Sequence, residues 1–380
     1  MKKIIIVLIL SVLFVTGCSI KLKNEPDTIK VVDLIGMESE IKPGNYERVI
    51  CVGAGALRLY TYICGSDNLA GVEDIENYTL SQRPKMFDGS PRPYYIRYKE
   101  EFSKLPSCGV GGPNMQNAEA EKILNCNPDI IISEYSDTTI ATALKEQVGV
   151  PVITLSYGNQ GVFDDRLKQS LLLLGKIFDK DARANELVNY IDNQKEELNQ
   201  LTKDIEEREK PNVYICGLGN WGTTNHLMTS GNYAPFNVSN IKNICADLGI
   251  NGVQKIEEEK FISLGENMDI VIIDAAAIKN IKALYQNDPT MFDTIKAFQN
   301  GETYLEMAYN VYYTNVEIAL INAWFAASIV YPSIFADFDI SDKISEVTLK
   351  FLGQDLKDEI FNSPQSYGGY QKIDINQLLK

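Results

Sequence analysis

The sequence contains a single histidine, His226, and that shortage excludes a good deal of chemistry. Zinc sites built from several imidazoles cannot form, and any histidine-based hydrolytic triad would have to use this one ring. The seven cysteines include no C-x-x-C pair, so neither a redox motif nor a zinc knuckle is indicated. Cys51 and Cys216 sit in apolar strand-like runs and Cys126 at a helix end, where buried free thiols are expected; a bridge such as Cys64 to Cys108 is the alternative. Positive charge is scarce as well. Thirty-six Lys and Arg face 51 Asp and Glu, a net −15 at pH 7, so a basic face for nucleic acid phosphates is not expected. No Gly-x-Ser-x-Gly elbow or histidine-rich metal motif appears. Long apolar runs are also missing. The run from Ile4 to Val15 is 12 residues including Ser11, short of the roughly 20 that a membrane-spanning helix needs.

That short run follows Lys2 and Lys3 and ends at Thr16, Gly17 and Cys18, the pattern of a secretory signal peptide over residues 1–17. Val15-Thr16-Gly17-Cys18 resembles the bacterial lipobox, in which the bond before a lipid-bearing cysteine is cleaved. The expected mature chain is anchored by Cys18 to the extracytoplasmic face of the cell membrane, with residues 18–27 as a polar tether; a free secreted protein is the alternative. Losing two lysines takes the net charge from −15 to −17. The remaining length exceeds one ordinary core and fits two domains of roughly 150 residues each.

Along the chain, apolar strand-like runs alternate with helical patterns, which reads as α/β with largely parallel sheets. Arg48 to Val52, Asp129 to Ser133 and Val150 to Leu155 are strands of a first lobe, residues 28–160. Gly53-Ala54-Gly55 is not a dinucleotide fingerprint, because Arg58 stands where a third glycine is required; the glycines allow a sharp turn at the sheet edge. Residues 161–209 form a linking helical segment. Its apolar positions recur at three- and four-residue steps, and a continuous helix is expected from Asp181 to Glu207. The pattern restarts in a second lobe, residues 210–380, with strands at Asn212 to Gly217, Asp269 to Ala275 and Thr303 to Glu306. Helices are expected at Met291 to Phe298 and Val316 to Tyr331, the latter stopped by Pro332. The halves echo each other: ILNCNPDIIISE (123–134) resembles ISLGENMDIVIIDA (262–275). Each strand opens at its C-terminal end into a loop, the edge where open α/β sheets bind ligands, and two facing edges make a cleft. The fold expected is two Rossmann-like lobes with central, largely parallel sheets, joined by one long helix.

Further motifs carry a resemblance. Pro93-Tyr94, Leu105-Pro106, Gly109, Gly111-Gly112, Glu121-x-Ile123 and Asn127-Pro128-Asp129-Ile130-Ile131-Ile132 occur in one order and near one spacing. Ala297-Phe298-x-Asn300-Gly301-x-x-Tyr304 and Asn315, Glu317, Tyr331, Pro332 and Phe335 follow. In these the chain resembles the helical-hinge, or class III, substrate-binding proteins of ABC importers, over nearly all of its mature length. Met268 departs from the proline usual in the family. The resemblance implies capture of an iron complex such as a ferric siderophore or haem, with cobalamin the alternative within the family, and delivery to a permease and its ATPase. It implies a monomer with no catalytic residues and no cofactor or metal of its own. It also implies that Glu121, and in the second lobe Glu259 among Glu257, Glu258 and Glu259, dock on permease arginines through charge-assisted pairs.

Tyr94, Tyr95 and Tyr98, interleaved with Arg92 and Arg97, are expected on one cleft wall, where phenol rings offer stacking area and guanidiniums offer donors. Trp221 and His226 are expected on the second-lobe loop, and Tyr309, Tyr312 and Tyr313 on a third wall. His226 is either an axial ligand to haem iron or a plain loop residue. A bare transition metal wants imidazole or thiolate ligands, so a preformed chelate is expected, and the arginines favour one of net negative charge. The rival from another class is an extracytoplasmic hydrolase using a carboxylate pair. Mass spectrometry of the membrane-extracted protein is expected to show Cys18 as the lipid-modified N-terminus; retention of residues 1–17 or an unmodified Cys18 contradicts the lipobox.

Overall fold

The computed structural model describes residues 27–84, 88–112, 118–219 and 223–374; Cys18, Trp221 and the signal segment lie outside them. Three short aliphatic stretches, Val49–Val52, Ile130–Ser133 and Val152–Thr154, form a parallel sheet with Ile130–Ser133 in the middle. All of these residues are buried, as strands covered on both faces by helices must be. In the second lobe Ile270–Asp274 lies between Val213–Cys216 and Thr303–Glu306, again parallel, and Gln371–Lys372 adds an antiparallel edge.

The internal echo in the sequence is a structural repeat. Val49 pairs with Ile130 in one sheet and Val213 with Ile270 in the other. Before each central strand an aspartate ties the neighbouring strand's start. Asp129 accepts the Glu47 and Arg48 amides at 2.7 and 3.1 Å, and Asp269 accepts the Asn212 amide at 2.8 Å. At the other end Gly53 and Gly217 have φ of 88° and 84°, a left-handed turn that glycine makes at no steric cost. Alignment of Asn127-Pro128-Asp129 with Asn267-Met268-Asp269 makes Glu134 and Asp274 equivalent.

The linker is two antiparallel helices, Asp165–Ile177 and Asp181–Thr202. The second buries Ala184, Leu187, Ile191, Gln194, Leu198 and Thr202 at three- and four-residue steps and turns its charges to solvent. It spans 22 residues, roughly 33 Å at 1.5 Å per residue. It stops before the expected Glu207: the Thr202 hydroxyl bonds back to the Leu198 carbonyl at 2.7 Å, and Ile205 N closes a turn on Thr202. The expected Met291–Phe298 helix is likewise broken, at extended Ile295, into a 3-10 turn and Lys296–Gln299. Val316–Val330, apolar on all sides, is almost entirely buried. All six described cysteines are free, so Cys64 and Cys108 are not bridged.

From the second-lobe strand Thr303–Glu306 the chain crosses to the first lobe before entering Val316–Val330. Arg58, on the first-lobe helix Ala56–Cys64 and fully buried, holds this crossing. Its guanidinium donates to the Val311, Tyr312 and Thr314 carbonyls at 2.9 Å and to the Tyr157 hydroxyl at 3.1 Å. A buried carbonyl left unmatched costs about 1–3 kcal/mol. Arg58→Met is therefore expected to lower the unfolding free energy by about 3 kcal/mol or more, as read from urea denaturation; a loss below about 1 kcal/mol contradicts the clasp.

Candidate functional site

The C-terminal edges of the two sheets face one another, and side chains bridge them. Tyr313, at the end of the crossing, stacks on Tyr157 of the first lobe with centroids 4.5 Å apart. Tyr312 donates to Glu73 at 2.7 Å and accepts the Gly112 amide at 3.1 Å. Both tyrosines sit in the left-handed region, φ 51° and 71°, which costs a non-glycine residue about 1 kcal/mol or more; Asn315 secures the turn by donating to the Tyr309 and Val311 carbonyls at 3.0 and 2.9 Å. Gly55 is required here, since a Cβ on it would stand 2.5 Å from the Tyr157 hydroxyl.

On the first-lobe side Glu134, half-buried, directly follows the central strand; its amide donates to the Val52 carbonyl at 3.1 Å, and its carboxyl makes no hydrogen bond or ion pair among the described residues. Burial pushes its carboxyl up to about 8, against the opposing pull of Arg58. Tyr135, Tyr157 and Tyr313 all lie within its field. On the second-lobe side Asp274, fully buried, ends the equivalent strand. One oxygen caps the Ala276 amide at 2.8 Å and the other has no partner among the described residues; burial raises this carboxyl to about 7. Its register neighbour Glu306 accepts the Tyr233 hydroxyl at 2.7 Å and is pushed upward by burial and then by Asp274. Tyr309, partly exposed, lies 5.9 Å from the Tyr233 ring.

The expected wall residues are dispersed. Pro93 opens the helix Pro93–Phe102, whose turns put Tyr94, Tyr95, Tyr98 and Phe102 on its buried side. Arg92 is fully buried and committed to Glu76, Asp88 and the Tyr94 hydroxyl, with its guanidinium 4.6 Å from the Tyr95 ring. The Tyr94 ring also carries Arg58, 4.8 Å away. Arg97, partly exposed, pairs with Glu101 and lies 4.5 Å over Tyr98. Of the donors expected for an anionic ligand, Arg92 is thus engaged within the protein and Arg97 lies against its own helix. His226 packs edge-on against Phe261 at 5.0 Å, and desolvation lowers it to about 4; this is the plain reading rather than an iron ligand. Tyr309 and Tyr313 do reach the interlobe face, whereas Tyr312 is spent on Glu73. The expectation missed Glu134, Asp274, Tyr135 and Tyr157, although the repeat itself carries the two acids to equivalent strand ends.

Beside the linking helix a separate crevice of about 780 Å³ opens between the lobes, lined by Asn159, Gln160, Lys195, Asn199, Asn232 and Asn237 among others. Its walls omit every tyrosine of the sheet edges, so we place the site at the edges, where the tyrosines and unpartnered carboxyls converge.

The chain thus folds as two α/β lobes joined by a helical linker, with the C-terminal edges of their sheets facing one another. The profile of the periplasmic binding protein family matches residues 65–305, and the chain belongs to that family, in its helical-hinge class III branch. A molybdate-binding protein of Haemophilus influenzae is 21% identical over 280 residues, 68% of this chain and 75% of that one. Among solved structures, a periplasmic solute binding protein from Veillonella parvula superposes with a TM-score of 0.65 at 19% identity, covering 89% of this chain and 96% of that one. A periplasmic haem binding protein from Pseudomonas aeruginosa gives 0.52 at 20% identity, covering 76% and 94%.

The raised carboxyls set a pH dependence. Glu73, accepting from Tyr312 and the Gly53 amide, is raised to about 7 by burial and joins Glu134 and Asp274. Each keeps a proton in the native state that the unfolded chain releases near pH 4–4.5. Their stabilisation is full below that pH and is lost as pH rises through 7 to 8. His226 acts oppositely, and only between about pH 6.5 and 4. The urea midpoint is expected to be higher at pH 6 than at pH 8.5, with the slope reduced in Glu134→Gln; a higher midpoint at pH 8.5 contradicts the assignment.

Proposed function

We propose that this chain is the lipid-anchored receptor of an ABC importer and that it captures a metal chelate, a ferric siderophore or haem, between its lobes and hands it to the permease. The observation that supports this most is the facing pair of sheet edges lined by Tyr135, Tyr157, Tyr309 and Tyr313. Broad phenolic faces suit a bulky complex whose own atoms already fill the metal's coordination shell. The helical linker suits modest closure: Arg183 ties its long second helix to the Tyr62 carbonyl of the first lobe at 3.0 Å and to the Lys350 carbonyl of the helix Ile340–Leu352 at 2.7 Å.

Glu121 and Glu259 serve as docking acids. Each is exposed in the first turn of the helix that precedes its lobe's central strand, Ala120–Asn125 and Glu258–Gly265, so the two sit on matching lobe tips. Glu121→Lys and Glu259→Lys are expected to cut chelate uptake by cells at least tenfold while calorimetric affinity for the chelate stays within twofold. Loss of affinity in proportion to uptake would move that residue into the pocket.

A further inference from the structure

The arginine-based expectation of an anionic cargo does not survive the geometry. Arg58 is used up on three carbonyls and a phenol and Arg92 on Glu76 and Asp88, while Arg97 lies over the Tyr98 ring beside Glu101 at 3.4 Å. What the repeat presents at both facing edges is a carboxyl. Glu134 and Asp274 occupy the same position at the C-terminal end of each central strand, one residue beyond Ser133 and Ile273, which pair with Val52 and Cys216. Neither is there to hold the fold through an ion pair. The Glu134 carboxyl makes no polar contact among the described residues, and Asp274, with 0% exposure, leaves one oxygen unpartnered. A buried carboxyl with an unused oxygen costs stability, and the repeat places such a group on each side of one cleft.

The surroundings point the same way. Tyr135 follows Glu134 in the chain and Tyr157 stacks on Tyr313 across the lobes, while Tyr233, bonded to the Asp274 neighbour Glu306, lies 5.9 Å from Tyr309. Ring faces attract cations. We infer that Glu134, with Asp274 buried behind the opposite edge as a second acid, receives a positively charged group of the cargo, so the captured chelate carries an ammonium or comparable cation rather than a surface of anionic oxygens. This rests on the reading of the protein as a chelate receptor. The upward push that burial exerts on both carboxyls fits the inference, because a cation between the lobes would supply a counter-charge.

Calorimetric titration tests it with ferrioxamine B, a ferric trihydroxamate bearing a free ammonium, with its N-acetylated neutral form, and with a ferric tris-catecholate trianion. The wild-type protein is expected to bind the ammonium form at least tenfold more tightly than the acetylated form. Glu134→Gln, which keeps the shape and removes the charge, is expected to bring that ratio down to about twofold by weakening only the ammonium form. Asp274→Asn, which retains the cap on Ala276, is expected to act in the same direction. Equal affinities for the two hydroxamates in the wild type, or a ratio unchanged in both variants, overturns the inference. Tightest binding of the trianion overturns it and leaves the chelate reading standing, whereas binding of none of the three overturns both.

Discussion

The buried guanidinium of Arg58 is the contact on which the interlobe geometry depends. Carbonyls 311, 312 and 314 lie on a segment with no strand or helix of its own to satisfy them, and buried backbone acceptors must be paired. Arg58 supplies donors in a rigid fork, which lysine could not do. The crossing is thereby fixed against the first lobe, and the two tyrosines in strained backbone conformations are held where they reach Glu73 and Tyr157. The strain is affordable only because the clasp, Asn315 and the Tyr312 bond over-determine the loop. One residue of the first lobe thus shapes a wall contributed by the second.

The internal repeat explains why the site lies where it does. Each lobe starts its paired strands with an aspartate that gathers backbone amides and ends them with a left-handed glycine. Between those fixed ends the strands are predominantly apolar, so the carboxyls gather at the C-terminal edge. The two lobes then diverge at that edge. Glu134 is partly open and unpaired, whereas Asp274 is closed over and adjacent to Glu306, a coupled pair of acids whose protons belong to the pair rather than to either residue.

Much of this organisation was legible in the sequence. Strand positions followed from short apolar runs, because burial on both faces leaves no other residue type there, and the linking helix followed from its three- and four-residue spacing. The helix end was missed because Thr202 caps it from within by a side-chain bond that charge patterning does not reveal. The tyrosine-arginine run was read as a binding wall because its composition suits one. Its helical phase, set by Pro93, instead aims Tyr94, Tyr95 and Tyr98 inward, and Arg92 finds Glu76 sixteen residues earlier in the chain. Pairings at such distances, like that of Arg58 with residues more than 250 positions away, depend on topology and leave no local signature. The equivalence of Glu134 and Asp274, by contrast, stands in the two matched segments, where a Glu and an Asp at the strand ends differ in type and carry no motif of their own.

Mechanically, the linker and the crossing impose different constraints. A continuous helix stapled by Arg183 to the first lobe and to the C-terminal helix resists the dihedral changes through which a loop hinge opens. The crossing adds a second tether at the opposite end of the interlobe face, through Arg58 and Tyr312. With both connections anchored, the adaptable parts of the site are the side chains at the edges: Tyr313, more than a third exposed, together with Glu134, Tyr135 and Tyr309. A receptor built this way recognises its cargo chiefly by the charge and ring faces that it already presents, and less by wrapping around it. The carboxyls left without partners at the two strand ends are then the groups with the most to gain from a bound ligand, since their desolvation has been met in the fold and only the counter-charge is missing.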